Sequence, residues 1–147
     1  EGDSVWVGTP AGLLLAVPDR QNLVRPDGLA SPSYQTPAVD IATLGDTLVA
    51  LTNDGFLWRD PRTRRWTIGP NHSALLGRLR RFVADGPGFW IAGDRGVGYA
   101  RVNTPAVRPL GESDLPGAVN DLAIDDDYLW VATNRGLGRY RLETIRP

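Results

Sequence analysis

The 147-residue chain has no cysteine, which excludes disulfides, thiolate zinc sites and cysteine nucleophiles. Its only histidine is His72, so a multi-histidine metal centre is excluded as well. It has no lysine, all sixteen basic residues being arginine. It has no methionine either, even at position 1, as expected of a segment cut from a longer polypeptide. No apolar run approaches the roughly 20 residues a membrane-spanning helix requires, so no membrane contact is expected of this segment. Sustained 3.6-residue periodicity is missing too. The one helix-like stretch, 73–82, runs straight into a strand pattern. Against these absences stand 41% hydrophobic and 22% charged residues at a net charge of −1, the balance of a chain that buries a core. The mild net acidity argues against nucleic acid as a partner. Seventeen glycines and twelve prolines point to many short elements joined by turns.

The chain repeats. VWVGTPAGLLL (5–15), LVALTNDGFLW (48–58), FWIAGDRGVGY (89–99) and LWVATNRGLGR (129–139) align on Gly12, Gly55, Gly96 and Gly136, spaced 43, 41 and 40 residues apart. Trp6, Val49, Trp90 and Trp130 stand six residues before each glycine. A second motif, around Asp40, Arg81 and Asp121, precedes the last three of these positions by nine residues each. Every unit reads as a brief apolar strand, a turn, the Trp/Val strand, a tight turn ending in glycine, and a third strand. Weaker fourth strands fit 23–25, 65–68 and 107–110. The glycine is expected where the turn needs positive φ. Four antiparallel strands in about 40 residues is the pattern of a β-propeller blade, so the expected fold is all-β. The expected blades lie at about 1–30 (lacking its inner strand), 38–70, 79–112 and 119–147, an incomplete ring of three to four blades.

The run DLAIDDDYLWVATNRGLGRY (121–140), preceded by LPGAVN (115–120), resembles the two-component-regulator propeller repeat. The third unit matches this pattern moderately, the second lacks its tryptophan, and the first has only the WVGT–G portion. The resemblance covers nearly the whole chain. It implies a periplasmic or extracellular sensor or scaffold module of a bacterial signalling protein, and it brings no catalytic residues with it. About three and a half blades leave unpaired strand edges at both ends. Two completions are expected to compete: this is one half of a larger propeller, or two copies associate as a homodimer that completes the ring.

In a propeller the turns between second and third strands share one face with the blade-to-blade loops. Asn53, Asp54, Asp94, Arg95, Asn134 and Arg135 are therefore the candidate ligand-binding residues, set against the simpler reading that Asn and Asp make good turns. Tyr34, His72 and Glu112 lie in loops that would frame the same face. Trp6, Trp90 and Trp130 are expected between blades, while Trp58 and Trp66 fall nearer the outer strands. Charge is segregated: residues 55–81 carry seven arginines against Asp60, a net of +6, and the remainder carries −7. Arg62, Arg64 and Arg65, with Trp66, form a candidate patch for an anion or a partner chain, because guanidinium forks grip oxyanions in pairs. Asp125-Asp126-Asp127 is a possible calcium loop, but three consecutive side chains cannot all point inward, and a solvated turn is expected. Asp40 and Asp121 share a repeat position with Arg81, which argues against a symmetric catalytic or metal ring. The expectation is a non-catalytic module that binds a small molecule, glycan or protein, with no cofactor and no metal. The alternatives are an assembly propeller docking a partner chain, and, less favoured, a propeller-type lyase or hydrolase.

Overall fold

Within each repeat the apolar runs are separated by short turns that favour hairpins, so strands of one repeat pair with their sequence neighbours. The computed structural model describes residues 4–27, 36–102, 104, 106–110, 115 and 117–146. Four antiparallel sheets follow one another along the chain. The first pairs β1 (Val5–Thr9) with β2 (Gly12–Ala16). The second runs β3 (Ala38–Leu44), β4 (Thr47–Thr52), β5 (Gly55–Arg59) and β6 (Trp66–Asn71). After the one-turn helix α1 (Ser73–Leu76), the third sheet runs β7 (Leu79–Asp85), β8 (Gly88–Gly93), β9 (Gly96–Ala100) and β10 (Val107–Pro109). The fourth runs β11 (Val119–Ile124), β12 (Tyr128–Thr133) and β13 (Gly136–Arg141), followed by α2 (Leu142–Ile145). The inner strands β3, β7 and β11 lie side by side, and β1 packs beside β3. These are the blades of an incomplete β-propeller.

Three details differ from the sequence reading. The outer strand near 23–25 shrinks to a single bridge between Leu15 and Val24. The helix-like stretch 73–82 yields only α1, because Gly77 turns the backbone to φ 75 and the chain becomes extended at Leu79. The fourth sheet has no outer strand among the described residues: after β13 the chain curls into α2 and buries Leu142.

The core lies between the sheets. Alternation sends successive residues of each second strand to opposite neighbours. Phe89 and Ile91 pack back against Val49, Leu51 and Phe56 of the second sheet. Trp90 and Ala92 pack forward against Leu129, Val131 and Leu142. Phe89 meets Phe56 edge-on at 5.1 Å and Phe82 at 5.6 Å. Trp6 faces the second sheet, where it meets Trp66 at 5.4 Å beside a cluster of Leu13, Ala38, Ala50 and Leu57.

A buried polar lock accompanies the tryptophan. The Trp90 indole N–H donates to Asp85 Oδ2 at 3.0 Å, and the Tyr99 hydroxyl donates to the Asp85 carbonyl at 3.0 Å. Arg146, from the following blade, closes on the same carboxylate, its Nε lying 2.9 Å from Oδ2 and 3.1 Å from Oδ1. In the second blade the pair is replaced as a unit: Leu44 stands at the Asp position and Val49 at the Trp position. Because Phe89 touches two sheets at once, Phe89→Ala is expected to cost about 3–5 kcal/mol, read as a lowered urea midpoint.

Candidate functional site

The turn-forming threonines set the geometry of the loop face. Thr52 Oγ1 donates to the Gly55 carbonyl at 3.1 Å and accepts the Gly55 N–H at 3.2 Å. Thr9 and Thr133 donate to the carbonyls of Gly12 and Gly136 at 2.8 and 2.9 Å. Of the four anchoring glycines, only Gly12 and Gly136 have the expected positive φ, 113° and 142°. The third turn has Gly93 in place of threonine because a Cβ there would lie 2.2 Å from the Leu76 carbonyl oxygen of α1.

Four of the six candidate turn residues lie against neighbouring backbone. Arg95 Nη2 donates to the carbonyls of Ser73 and Ala74 at 3.0 and 2.8 Å, holding α1 in place. Asp54 offers its carbonyl to the N–H groups of His72 and Ser73. Asn134 Oδ1 accepts the Ala118 N–H at 3.0 Å, and Arg135 lies against Gly117. Asn53 and Asp94 do something different: each reaches an arginine at the start of β7. Arg78 Nε donates to Asn53 Oδ1 at 3.1 Å, and Arg80 pairs with the Asp94 carboxylate.

That junction opens into a cleft of about 290 Å³ lined by Val39, Asn53, Arg78, Leu79, Arg80, Arg81 and Asn120. Its construction follows from the strands. Each inner strand breaks register at the same repeat position, between Ala38 and Asp40, between Leu79 and Arg81, and between Val119 and Asp121. The skipped residues are Val39, Arg80 and Asn120. A bulge re-aims a side chain that regular pleating would send elsewhere, and here three bulges line one cleft. Arg81 lies between two acidic neighbours. Its Nε is 3.6 Å from Asp121 Oδ1, while Asp40 Oδ2 accepts the adjacent Phe82 N–H at 3.1 Å. Charge therefore alternates Asp, Arg, Asp across the inner strands, which offsets the repulsion of three like charges. Nothing in the spacing of the sequence announces a bulge; the signal available was that Asn120, Arg80 and Val39 directly precede the Asp/Arg position.

The arginine-rich stretch is split in two. Arg62, Arg64 and Arg65 sit in the β5–β6 hairpin at the outer edge, ordered by Asp60, whose Oδ1 accepts the N–H groups of Arg62 and Thr63, both at 2.8 Å. Arg78, Arg80 and Arg81 are at the inner strands. Trp66 is half-buried against Trp6.

His72 is not a loop contact. It is 3% exposed and stacks on Phe56 at 5.5 Å, and its Nε2 has no hydrogen-bond partner among the described residues. Tyr34 and Glu112 lie outside the described residues. Asp125 is fixed within its turn: its Oδ1 accepts the Tyr128 N–H at 3.0 Å, and its Oδ2 accepts the Trp130 indole N–H at 2.7 Å. Among the described residues, no three His, Asp or Glu side chains gather as a metal site, and no helix is long and apolar enough to cross a membrane.

No family model matches the chain, and a comparison with curated proteins finds no match. Solved structures do match. The extracellular domain assigned to the hybrid two component system BT3049 of B. thetaiotaomicron superposes with a TM-score of 0.73 at 18% identity, over 97% of this chain and 21% of that one. The computationally designed protein Ika8 gives 0.68 at 12% identity, over 96% of this chain and 43% of that one. The N-terminal domain of Nup159 gives 0.57 at 7% identity, over 92% and 40%. The chain thus spans less than half the length of these neighbours, and the likeness is one of fold.

Burial holds the His72 imidazole below its ordinary value of 6.5. The hydrogen bond from Arg146 holds the Asp85 carboxyl below its ordinary 3.8. In each case the unfolded chain takes up a proton at a pH where the folded one still refuses it, so stability falls as pH falls. Melting temperature is expected to drop first as pH passes below 6.5 and again below 3.8. His72→Phe should abolish the first drop and keep the second, as followed by circular dichroism.

Proposed function

We propose that this chain is a non-catalytic binding module whose ligand is an oxyanion-bearing molecule, a sulfated or phosphorylated glycan or an acidic peptide. The observation that carries this reading is the cleft in which three strand bulges and two turns bring together Arg78, Arg80, Arg81, Asn53 and Asn120. Guanidinium groups offer paired donors matched to carboxylate, sulfate or phosphate oxygens, and the two amides add neutral donors. Arg78 is held by an amide rather than a carboxylate, so its charge is the least neutralised of the three. The carboxylates of Asp94 and Asp121 orient the other two guanidinium groups and would compete with a ligand for them. That favours a ligand presenting several anionic groups over a single small ion. The propeller fold shared with extracellular domains of two-component systems supports placing the module outside the cytoplasm, as the sensor or scaffold part of a larger bacterial protein.

Titration calorimetry with dextran sulfate, and with neutral dextran as the control, tests this at low salt. Binding of dextran sulfate is expected, with Arg78→Ala and Arg81→Ala each weakening it about 10-fold, the worth of one charge-assisted hydrogen bond. The triple variant Arg62→Ala, Arg64→Ala, Arg65→Ala should bind as the wild type does. Equal loss in the triple variant would move the site to the outer hairpin, and no binding of dextran sulfate would remove the anion reading.

A further inference from the structure

His72 is the chain's only histidine and is not among the residues that line the anion cleft. Histidine is the one side chain whose ordinary titration falls between pH 5 and 8. Here the ring is 3% exposed, stacks on Phe56 at 5.5 Å, and has no hydrogen-bond partner at Nε2 among the described residues. These surroundings suit a neutral imidazole. A charged ring would place an N–H donor and a positive charge at Nε2 with no acceptor to meet them. The elements packed around it carry Asp54, Arg59, Arg78, Asp94, Arg95 and Tyr99 as ionisable groups. None of them governs its titration, because burial alone holds the imidazole below its ordinary value of 6.5.

The place of His72 in the chain couples it to the anion cleft. It directly precedes α1, and its carbonyl accepts the N–H groups of Leu75 and Leu76 at 3.2 and 3.0 Å. The β4–β5 turn grips both ends of the segment 72–79. The Asp54 carbonyl accepts the N–H groups of His72 and Ser73 at 2.9 and 3.0 Å, and the Asn53 carbonyl accepts that of Leu79 at 2.8 Å. Asn53 Oδ1 also accepts the Nε–H of Arg78, the cleft arginine whose charge is least neutralised. Two neighbouring turn residues thus fasten the histidine and the arginine together.

The segment also has room to move and a point about which to turn. A second cleft, of about 250 Å³, is lined in part by Asp54, Phe56, Gly69 and Asn71. His72 follows one of these residues and stacks on another. The Asp54 carboxylate has no hydrogen bond or ion pair among the described residues, so it is open to a cation. Gly77, between α1 and Arg78, stands at φ 75, a conformation that glycine adopts without strain.

We propose that His72 is a proton-operated latch on the anion cleft. Neutral and stacked on Phe56, it keeps α1 and the β4–β5 turn in place; protonated, it leaves for the cleft beside Asp54, loosening Asn53 and with it Arg78. The latch rests on the anion-binding reading of that cleft. An anion selects the latched form, in which the imidazole is neutral, so anion and proton compete. Affinity is therefore full above pH 6.5 and falls as pH drops below it, where the released imidazole takes up its proton. Protonation of Asp94 or Asp121 would act in reverse, freeing Arg80 and Arg81 for the ligand.

Titration calorimetry with dextran sulfate, whose sulfates stay ionised, compares pH 7.5 with pH 5.0 at one ionic strength. The wild type is expected to bind about 3- to 30-fold more weakly at pH 5.0, the upper figure being the ceiling set by one proton with an ordinary value of 6.5. His72→Phe and His72→Gln, neither of which titrates, should each bind equally at the two pH values, whatever their affinity. Far-UV circular dichroism confirms that each protein is folded under both conditions. Hydrogen exchange without ligand reads the latch by itself. After correction for the intrinsic exchange rate, protection of the Leu76 and Gly77 amides should fall about 10-fold or more in the wild type and stay constant in both variants. Equal wild-type affinity at the two pH values, unchanged protection of those amides, or a pH effect that survives in the variants overturns the latch and leaves the anion reading standing. Absence of binding at pH 7.5 removes the anion reading, and the latch with it.

Discussion

Each sheet in this protein is apolar on both faces, and that constraint governs the rest of the structure. A sheet of this kind has no stable life alone: its second strand alternates large side chains toward the blade behind and the blade ahead. Phe89 and Trp90 are adjacent in sequence and belong to different cores. Stability is therefore a property of interfaces rather than of blades, as in other repeat architectures. The interfaces tolerate two solutions at the forward position, a tryptophan whose indole N–H needs a carboxylate, or a valine that needs none. Asp85 with Trp90 and Leu44 with Val49 change together for that reason, since a buried indole N–H or a buried carboxylate left alone would cost more than the packing returns.

With stability lodged between the sheets, the ends of the strands are free to carry chemistry. Threonine hydroxyls close the turns locally, and turn side chains then reach outward to the starts of the inner strands. The three register breaks on β3, β7 and β11 convert a repeating structural irregularity into a site, because each delivers one side chain to the same cleft. Two of those three residues, Arg80 and Asn120, are polar, and Arg78 and Arg81 flank the first of them. Most of its lining side chains rise from paired strands, with Asn53 added from the β4–β5 turn and Arg78 from the residue before β7.

The repeat, the strand order and the position of Trp6 and Trp90 between sheets were legible from the sequence because they depend on period and alternation, which local composition expresses directly; Trp130, expected between blades as well, is half-buried on a face that no other described sheet covers. His72 was not: a lone histidine in a turn-rich stretch looks exposed, and only the stacking of Phe56 beside α1 shows that it is buried. The division of the arginines was hidden for a related reason. Residues 59–65 and 78–81 are close in sequence, yet β6 and α1 carry the chain from the outer edge of one blade to the inner strand of the next. The cleft itself could not be read, because bulges arise from the register between strands, which no single strand's sequence encodes.

In a repeat protein, agreement with the pattern reports the fold, and departure from it reports something particular to one blade. A departure that is answered within its own surroundings needs no outside partner: Gly93 replaces threonine because α1 lies against it, and Arg81 replaces aspartate between two acidic neighbours. Arg139 in place of tyrosine belongs to the same class, since its guanidinium covers the Tyr128 and Trp130 rings and lies near Asp125. Leu137 and Val5 are of the opposite kind. They follow the pattern, being aliphatic where the pattern asks for aliphatic residues, yet Leu137 is exposed where Leu13, Phe56 and Val97 are buried, and Val5 where Phe89 and Leu129 are.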